Sequence, residues 1–331
     1  MNRKKALAAL LGAALVLAVY ELHDGTAALV EALKRKVPQE QAMRAEASAA
    51  SLYEQIQAEA GKRRVAPIDA RVDRVWKAIP GYNGLEVDIE RTYRLAAQRP
   101  PQEPITYLYR EIPAKITLES LGAYPVYRGN PAKPMVGLMI NVAWGNAYVE
   151  PMLQVLRDEG VRATFFFDGS WLAKNPELGK RIQAGGHELS NHAYTHPAMS
   201  RLDRSSARSQ ITRTEDVLKQ TFGETNNRWF APPSGDYNQQ TVEVARESGL
   251  QTVLWTLDTV DWQNPSAVSV VEKIERRVEA GTLILMHPTK ASSGALRGMI
   301  AAIREKGLAP GSVGETLSPE RIDPVEGKLQ F

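Results

Sequence analysis

The sequence contains no cysteine, which excludes a disulfide framework, a thiolate metal site and a thiol nucleophile together. A free thiol is a liability in an oxidising exterior, so the absence also suits an exported protein. Net charge is scarce: 41 Lys and Arg against 38 Asp and Glu leave +3 over 331 residues. That is no basic footprint, and no nucleic-acid partner is expected. Even the uncharged apolar stretch Ala6 to Tyr20 falls short of the roughly 20 residues that span a bilayer comfortably. Internal repeats and low-complexity tracts are absent as well. What remains, 43% hydrophobic and 24% charged residues, is the composition of a globular chain with room for one large domain and a smaller one.

What is present begins with a positive start, Asn2-Arg3-Lys4-Lys5, ahead of the Ala6 to Tyr20 stretch. This is the layout of an export signal. The following Val19-Tyr20-Glu21-Leu22 is too bulky for a small-x-small cleavage site. A buried helix opening a cytosolic protein would not need the Arg3-Lys4-Lys5 flank. Residues 1–25 are therefore expected to be an export signal or membrane anchor, cleaved or retained, with the positive charges holding the N-terminus in the cytoplasm. The remainder is expected outside the cytoplasm, membrane-anchored or secreted, and associated with the cell envelope.

Residues 26–64 read as a helical stalk broken at Pro38, with Leu52, Ile56 and Ala60 at helical spacing. Residues 65–134 read as a small α/β module. Val72, Val75, Trp76 and Ile79 suggest a helical start, Pro80-Gly81-Tyr82-Asn83-Gly84 is turn chemistry, and Ile105 to Tyr109 is extended. Gly129-Asn130-Pro131-Ala132-Lys133-Pro134 reads as its linker to the next domain.

Residues 135–331 alternate short apolar runs with amphipathic helical patterns. The runs are Val136–Val142, Ala163–Phe167, His187–Ser190, Arg228–Ala231, Thr252–Leu257 and Thr282–Met286. Such regularity predicts an α/β fold of parallel βα units, either a barrel or a doubly wound sheet. Chemistry in these folds sits at the C-terminal ends of the strands. The third run leads to Asn191-His192-Ala193-Tyr194-Thr195-His196-Pro197, whose histidines are spaced to share one face of a helical turn and clamp a divalent metal. Surface histidine pairs also occur with no ligand. The fourth run ends in Ala231-Pro232-Pro233-Ser234-Gly235-Asp236, a rigid turn; the fifth gives Asp258-Thr259-Val260-Asp261-Trp262; the sixth gives His287-Pro288. Each alone reads equally as structure. Their succession at strand ends reads as a site.

This constellation resembles the polysaccharide deacetylases of the NodB-homology type, carbohydrate esterase family 4, over about Met135 to Leu317. Four of that family's five ordered motifs are recognisable, and Ala163-Thr164-Phe165-Phe166-Phe167 is similar to its second-strand signature. Ile79-Pro80-Gly81-Tyr82-Asn83-Gly84-Leu85-Glu86-Val87-Asp88 and Ile140-Asn141-Val142-Ala143-Trp144-Gly145-Asn146 look like sequences of the YlxY-like, sporulation-associated branch. The resemblance implies an incomplete (β/α) barrel. It also implies metal-assisted hydrolysis of a carbon–nitrogen bond that is not a peptide bond, the N-acetyl bond of a glycan containing N-acetylglucosamine or N-acetylmuramic acid. Peptidoglycan or a related glycan is the implied partner, in cell-wall or spore carbohydrate metabolism.

The resemblance also assigns roles. Two histidines and an Asp hold the family's divalent metal (zinc or similar), and these positions fall on His192, His196 and Trp144. The family's base Asp falls on Ala143, its Arg partner on Ala231, and the Ser or Thr of the histidine motif on Ala193. The acid histidine is His287, tuned by Asp261. An indole offers a metal no lone pair, and losing a general base costs on the order of 100- to 10,000-fold in rate. Loss of Ala231's counterpart is coherent with loss of the base, since an Arg left alone would be a desolvated, unpaired charge. Two readings follow. In one, Asp168 becomes the third ligand or the base, with Glu150 a poorer candidate; Asp168 also suits an N-cap before Gly169-Ser170-Trp171. In the other, the cleft is a catalytically dead module that binds glycan or scaffolds a protein. Trp144 and Trp262 then present flat faces to sugars beside Pro232, Pro233 and Gly235, unless they merely pack on the barrel rim. A partner held by the 65–134 module, with the barrel as support, is a third arrangement.

Overall fold

A computed structural model describes residues 47–322 apart from 101, 224 and 225, together with the isolated positions Glu31, Lys36 and Met43. The expected export segment 1–25 and the break at Pro38 lie outside the described residues. Among the described residues no helix is long and apolar enough to cross a membrane.

The described residues form two compact units, one of residues 47–64 and 86–110, the other of 65–85 and 111–322. In the first, residues 47–62 form helix α1, as the spacing of Leu52, Ile56 and Ala60 predicts, with Ile56 fully buried. Helix α2 (Ile89–Ala96) starts where the Asp88 side chain accepts the Arg91 amide at 3.0 Å. Tyr53 of α1 donates its hydroxyl to Glu90 at 2.9 Å and meets Tyr93 edge-on, with centroids 5.5 Å apart.

The second unit opens with the hairpin β1 (Arg71–Asp73) and β2 (Lys77–Ile79), where the sequence suggested a helical start. Short strands β3 (Gly84–Val87) and β4 (Tyr109–Ile112) flank the inserted piece 86–110. Then follow β5 (Met135–Val142), α3 (Asn146–Asp158), β6 (Thr164–Phe167), α4 (Gly169–Lys174), α5 (Pro176–Ala184), β7 (Glu188–Asn191) and α6 (Arg204–Phe222). They continue with β8 (Trp229–Phe230), α7 (Gln239–Glu247), β9 (Gln251–Thr252), β10 (Leu257–Asp258), α8 (Ala267–Arg277) and β11 (Leu283–Met286). The last elements are α9 (Lys290–Glu305), β12 (Ala309–Gly311) and α10 (Val313–Leu317). The sheet runs β10-β11-β5-β6-β7-β8-β9 with every pair parallel, and β12 adds to the start of β5. These are the parallel βα units that the alternating pattern predicts, arranged as the incomplete (β/α) barrel that the resemblance implies.

Strand parity decides what each residue meets. Val136, Leu138, Ile140 and Val142 of β5, Phe165 and Phe167 of β6, and Ile284 and Met286 of β11 point outward into the layer of helices. Met139, Phe166, Trp229, Ala231, Val253 and Leu283 point inward and fill the barrel with Val313 and Leu317 of α10. Each fully buried aromatic or branched side chain contributes roughly 1.5–3 kcal/mol.

The run Thr252–Leu257, expected as one strand, is two. β9 pairs β8 and β10 pairs β11, at opposite ends of the sheet, so Val253 to Thr256 cross from edge to edge. The gap they bridge is filled by Val126, which donates its amide to the Thr252 carbonyl and accepts from the Leu254 amide. Residues 129–134 are likewise no free linker. Asn130 and Lys133 are buried, and Lys133 Nζ donates to the carbonyls of Glu315 at 2.5 Å and Ser318 at 2.8 Å. The stretch 65–134 is thus divided: 86–110 belongs to the first unit, and its two flanks pack as part of the barrel unit.

Candidate functional site

The inward parity that fills the barrel continues past the strand ends. It brings Asn141 near the end of β5, Ala143 after it, Asp168 after β6, His192 after β7, Ala231 after β8, Asp258 on β10 and His287 after β11 to one end of the barrel.

His192 and His196 do meet, but not on a helical turn. The segment after β7 is irregular, with Ala193 and His196 in the left-handed region at φ 60° and 56°. Their rings contact edge-on, with centroids 5.1 Å apart at 71°. His192 is buried, and its Nδ1–H donates to the Ala231 carbonyl at 2.7 Å, leaving a lone pair on Nε2. Burial, with the nearby His196, pushes His192 down to about 3. Burial also lowers His196, against the raising influence of the Asp168 charge. Both rings are therefore neutral near pH 7.

Asp168 commits one of its two carboxylate oxygens locally. It caps α4, its Oδ1 accepting the Trp171 amide at 2.8 Å and the Ser170 hydroxyl at 2.6 Å. Glu150 sits on the exposed face of α3 in an ion pair with Arg181 at 2.8 Å. Among the described residues no group of three His, Cys, Asp or Glu side chains is placed to hold a metal ion. The donor set does not fit a divalent cation: there are two imidazoles, a carboxylate engaged by a helix end, and an indole where the resemblance expects an acid.

The other half of the site is well built. His287 Nδ1–H donates to Asp261 Oδ1 at 2.8 Å, the His287 amide donates to Oδ2 at 2.6 Å, and the Ser292 hydroxyl donates to the same oxygen. Asp261 is 1% exposed. Burial alone would raise its carboxyl. The hydrogen bond and charge of His287, with the Ser292 hydroxyl, hold it below the usual carboxylate range instead. The turn carrying Asp261 is strained: Val260, a β-branched residue, sits at φ 56°, a conformation that costs on the order of 1–3 kcal/mol. The three bonds to Asp261 hold that turn in place.

Trp144 lies over His287, the rings stacked with centroids 5.0 Å apart at 17°. Gly145 makes this approach possible. At φ 84° a Cβ there would stand 1.9 Å from the Pro288 carbonyl oxygen, so only glycine lets the chain after Trp144 run against the segment after His287. A cavity of about 470 Å³ opens beside the stack. Trp144, Trp262, His196 and His287 line it, as the sequence suggested. From the Pro232–Gly235 turn it is Ser234 that lines the cavity. Pro232 and Pro233 are buried, and Gly235, at φ 67°, lies where a Cβ would press on the Trp255 ring at 2.8 Å. Trp255 and Asn141 complete the lining along with Asp258 and Leu285. Sequence reasoning did not single out Trp255 or Asn141. For Asn141 a signal existed: it is the one amide in an otherwise apolar strand, at an inward position.

A sequence profile described as polysaccharide deacetylase matches residues 128–253. Protein YlxY of Bacillus subtilis (strain 168) is 42% identical over 276 residues, 83% of this chain and 86% of that protein. The chain belongs to the polysaccharide deacetylase family. Within carbohydrate esterase family 4 it is a YlxY-like member. A wild-type pseudoenzyme of that family from Bacillus anthracis has a similar structure. Its TM-score is 0.77 at 38% identity, covering 82% of this chain and 96% of that one. A mutant of the same protein with restored enzymatic activity gives 0.76 at 37% identity, over 82% and 99% of the two chains. A peptidoglycan-N-acetylglucosamine deacetylase of Bacillus cereus is 32% identical over 156 residues, 47% of this chain and 56% of that protein.

Proposed function

We propose that this polysaccharide deacetylase relative is a catalytically silent, glycan-binding member of its family, working outside the cytoplasm on peptidoglycan or a similar glycan. One observation carries the reading. The end of β5 supplies Ala143 and Trp144 where an acid pair is needed, and Trp144 stacks on His287 while Asp168 caps α4. Water activation then lacks both a base and a metal site of suitable donors. Three indoles around the cavity instead offer flat apolar faces to sugar rings. The pseudoenzyme named among the similar structures supports the silent reading, and the peptidoglycan deacetylase supports the glycan class. The positive Asn2-Arg3-Lys4-Lys5 start and the apolar stretch behind it support export and tethering at the membrane. A role in the spore or cell wall follows from the resemblance to the YlxY-like branch.

The intact Asp261–His287 pair and the two adjacent imidazoles favour a second reading, metal-dependent N-deacetylation with Asp168 as third ligand. Elemental analysis, acetate release from N-acetylglucosamine oligomers and the variant His192→Ala separate the two. Saturable glycan binding with neither bound metal nor acetate release is expected. Metal at about one ion per chain, lost with acetate release in His192→Ala, would establish the enzyme instead.

A further inference from the structure

We infer that the cavity selects the protonated amine of a de-N-acetylated sugar, a glucosaminium residue, over the N-acetylated one. This rests on the reading of the cleft as a catalytically silent glycan site and specifies what it reads.

The polarity of the cavity carries the inference. Among the described residues no lysine or arginine lines it, and Ala231, buried beneath, supplies no charge. The lining does include a carboxylate. Asp258 Oδ1 accepts the Val260 amide at 2.7 Å, and its other oxygen has no hydrogen-bond partner among the described residues. Asn141 is 2% exposed and its Oδ1 is buried with no hydrogen-bond partner. That oxygen has no surface on the cavity, so Asp258 is the acceptor a ligand meets. His287 gives its Nδ1–H to Asp261, which fixes its ring at the edge of the same space.

The free Asp258 oxygen matches an ammonium group both in charge and as a hydrogen-bond acceptor. An acetamide would leave that carboxylate without a counter-charge. Trp144, Trp255 and Trp262 line the same space, and indole faces attract cations by about 0.5–2 kcal/mol as they are desolvated. The chain's net charge of +3 gives a cationic oligosaccharide no general attraction, so any preference must arise locally.

The test is calorimetric titration of the full chain with a glucosamine tetramer, at a pH where its amines are protonated, and with the N-acetylglucosamine tetramer. The glucosamine tetramer should bind at least about tenfold more tightly. Asp258→Asn, which preserves shape, should erase most of that preference. Equal or tighter binding of the acetylated tetramer overturns this inference while leaving the glycan-binding reading intact. Binding of neither overturns both.

Discussion

Replacing Asp261 by Asn tests whether the preserved half of the site is held together as the geometry indicates. The carboxylate receives three donors in a place that is 1% exposed: the His287 ring N–H at 2.8 Å, the His287 amide at 2.6 Å and the Ser292 hydroxyl. Hydrogen bonds to a charged group are worth about 1.5–3 kcal/mol against about 0.5–1.5 for neutral ones, and a buried donor left unpaired costs about 1–3 more. Asn removes the charge from all three bonds and turns an NH2 toward one donor, so the loss should be roughly 4 kcal/mol. That is a large fraction of a typical domain's 5–15 kcal/mol. Urea unfolding at pH 7 with matched m-values measures it. The pH dependence supplies a second check. The folded carboxyl is lowered from 3.8, so its stabilisation is present above that value and fades as the pH falls through the folded pKa. The gap between the two proteins should therefore narrow toward pH 3. A loss under about 1 kcal/mol at pH 7, or a gap unchanged at pH 3, would refute the arrangement.

The combined variant Ala143→Asp, Trp144→Asp, Ala231→Arg returns a third ligand, a base and the base's partner. Acetate release from N-acetylglucosamine oligomers should rise at least about 100-fold over background, and elemental analysis should find a bound metal; no rise would mean the cleft has diverged beyond these groups. Stability to urea should fall as the pH drops from about 6.5 toward about 4. Burial holds His187 down to about 4 and His192 to about 3, so the unfolded chain binds more protons there. Stability then climbs with pH by up to about 1.4 kcal/mol per unit for each imidazole, and His187→Gln should lower the slope, with His192 and the likewise lowered His196 supplying the rest. Lys133→Met should cost about 2 kcal/mol in the same assay, because the Glu315 and Ser318 carbonyls lose their donor while relief of a buried ammonium offsets part of the loss. Unchanged stability would return residues 129–134 to the status of a linker.

The sequence revealed most of the barrel because its elements are local. Phe165 to Phe167 announce a buried strand by themselves, and Ser205 to Phe222 a helix. What escaped depends on partners far along the chain. Thr252 to Leu257 looks like one strand, since nothing local tells that its ends pair with β8 and β11. Gly129 to Pro134 has the residues of a linker, yet Lys133 is fixed by carbonyls 182 and 185 positions away. In the site, His196, His287, Trp144 and Trp262 were visible as residues at strand ends and do share a cavity. Asp168 satisfied both readings on paper, and the cap is the one its Oδ1 adopts. Trp255 is hidden from sequence reasoning, because the segment that carries it has the apolar pattern of a strand interior.

That segment has a consequence for how the cleft comes into being. Val253 to Thr256 link strands that are neighbours in the chain but stand at the two free margins of the sheet, so they can settle only after every intervening strand has found its place. Trp255, set on this clasp, is then among the last parts of the pocket to be organised. A sugar that grips it would recognise the closed barrel alone, and by mass action would protect the whole domain against unfolding.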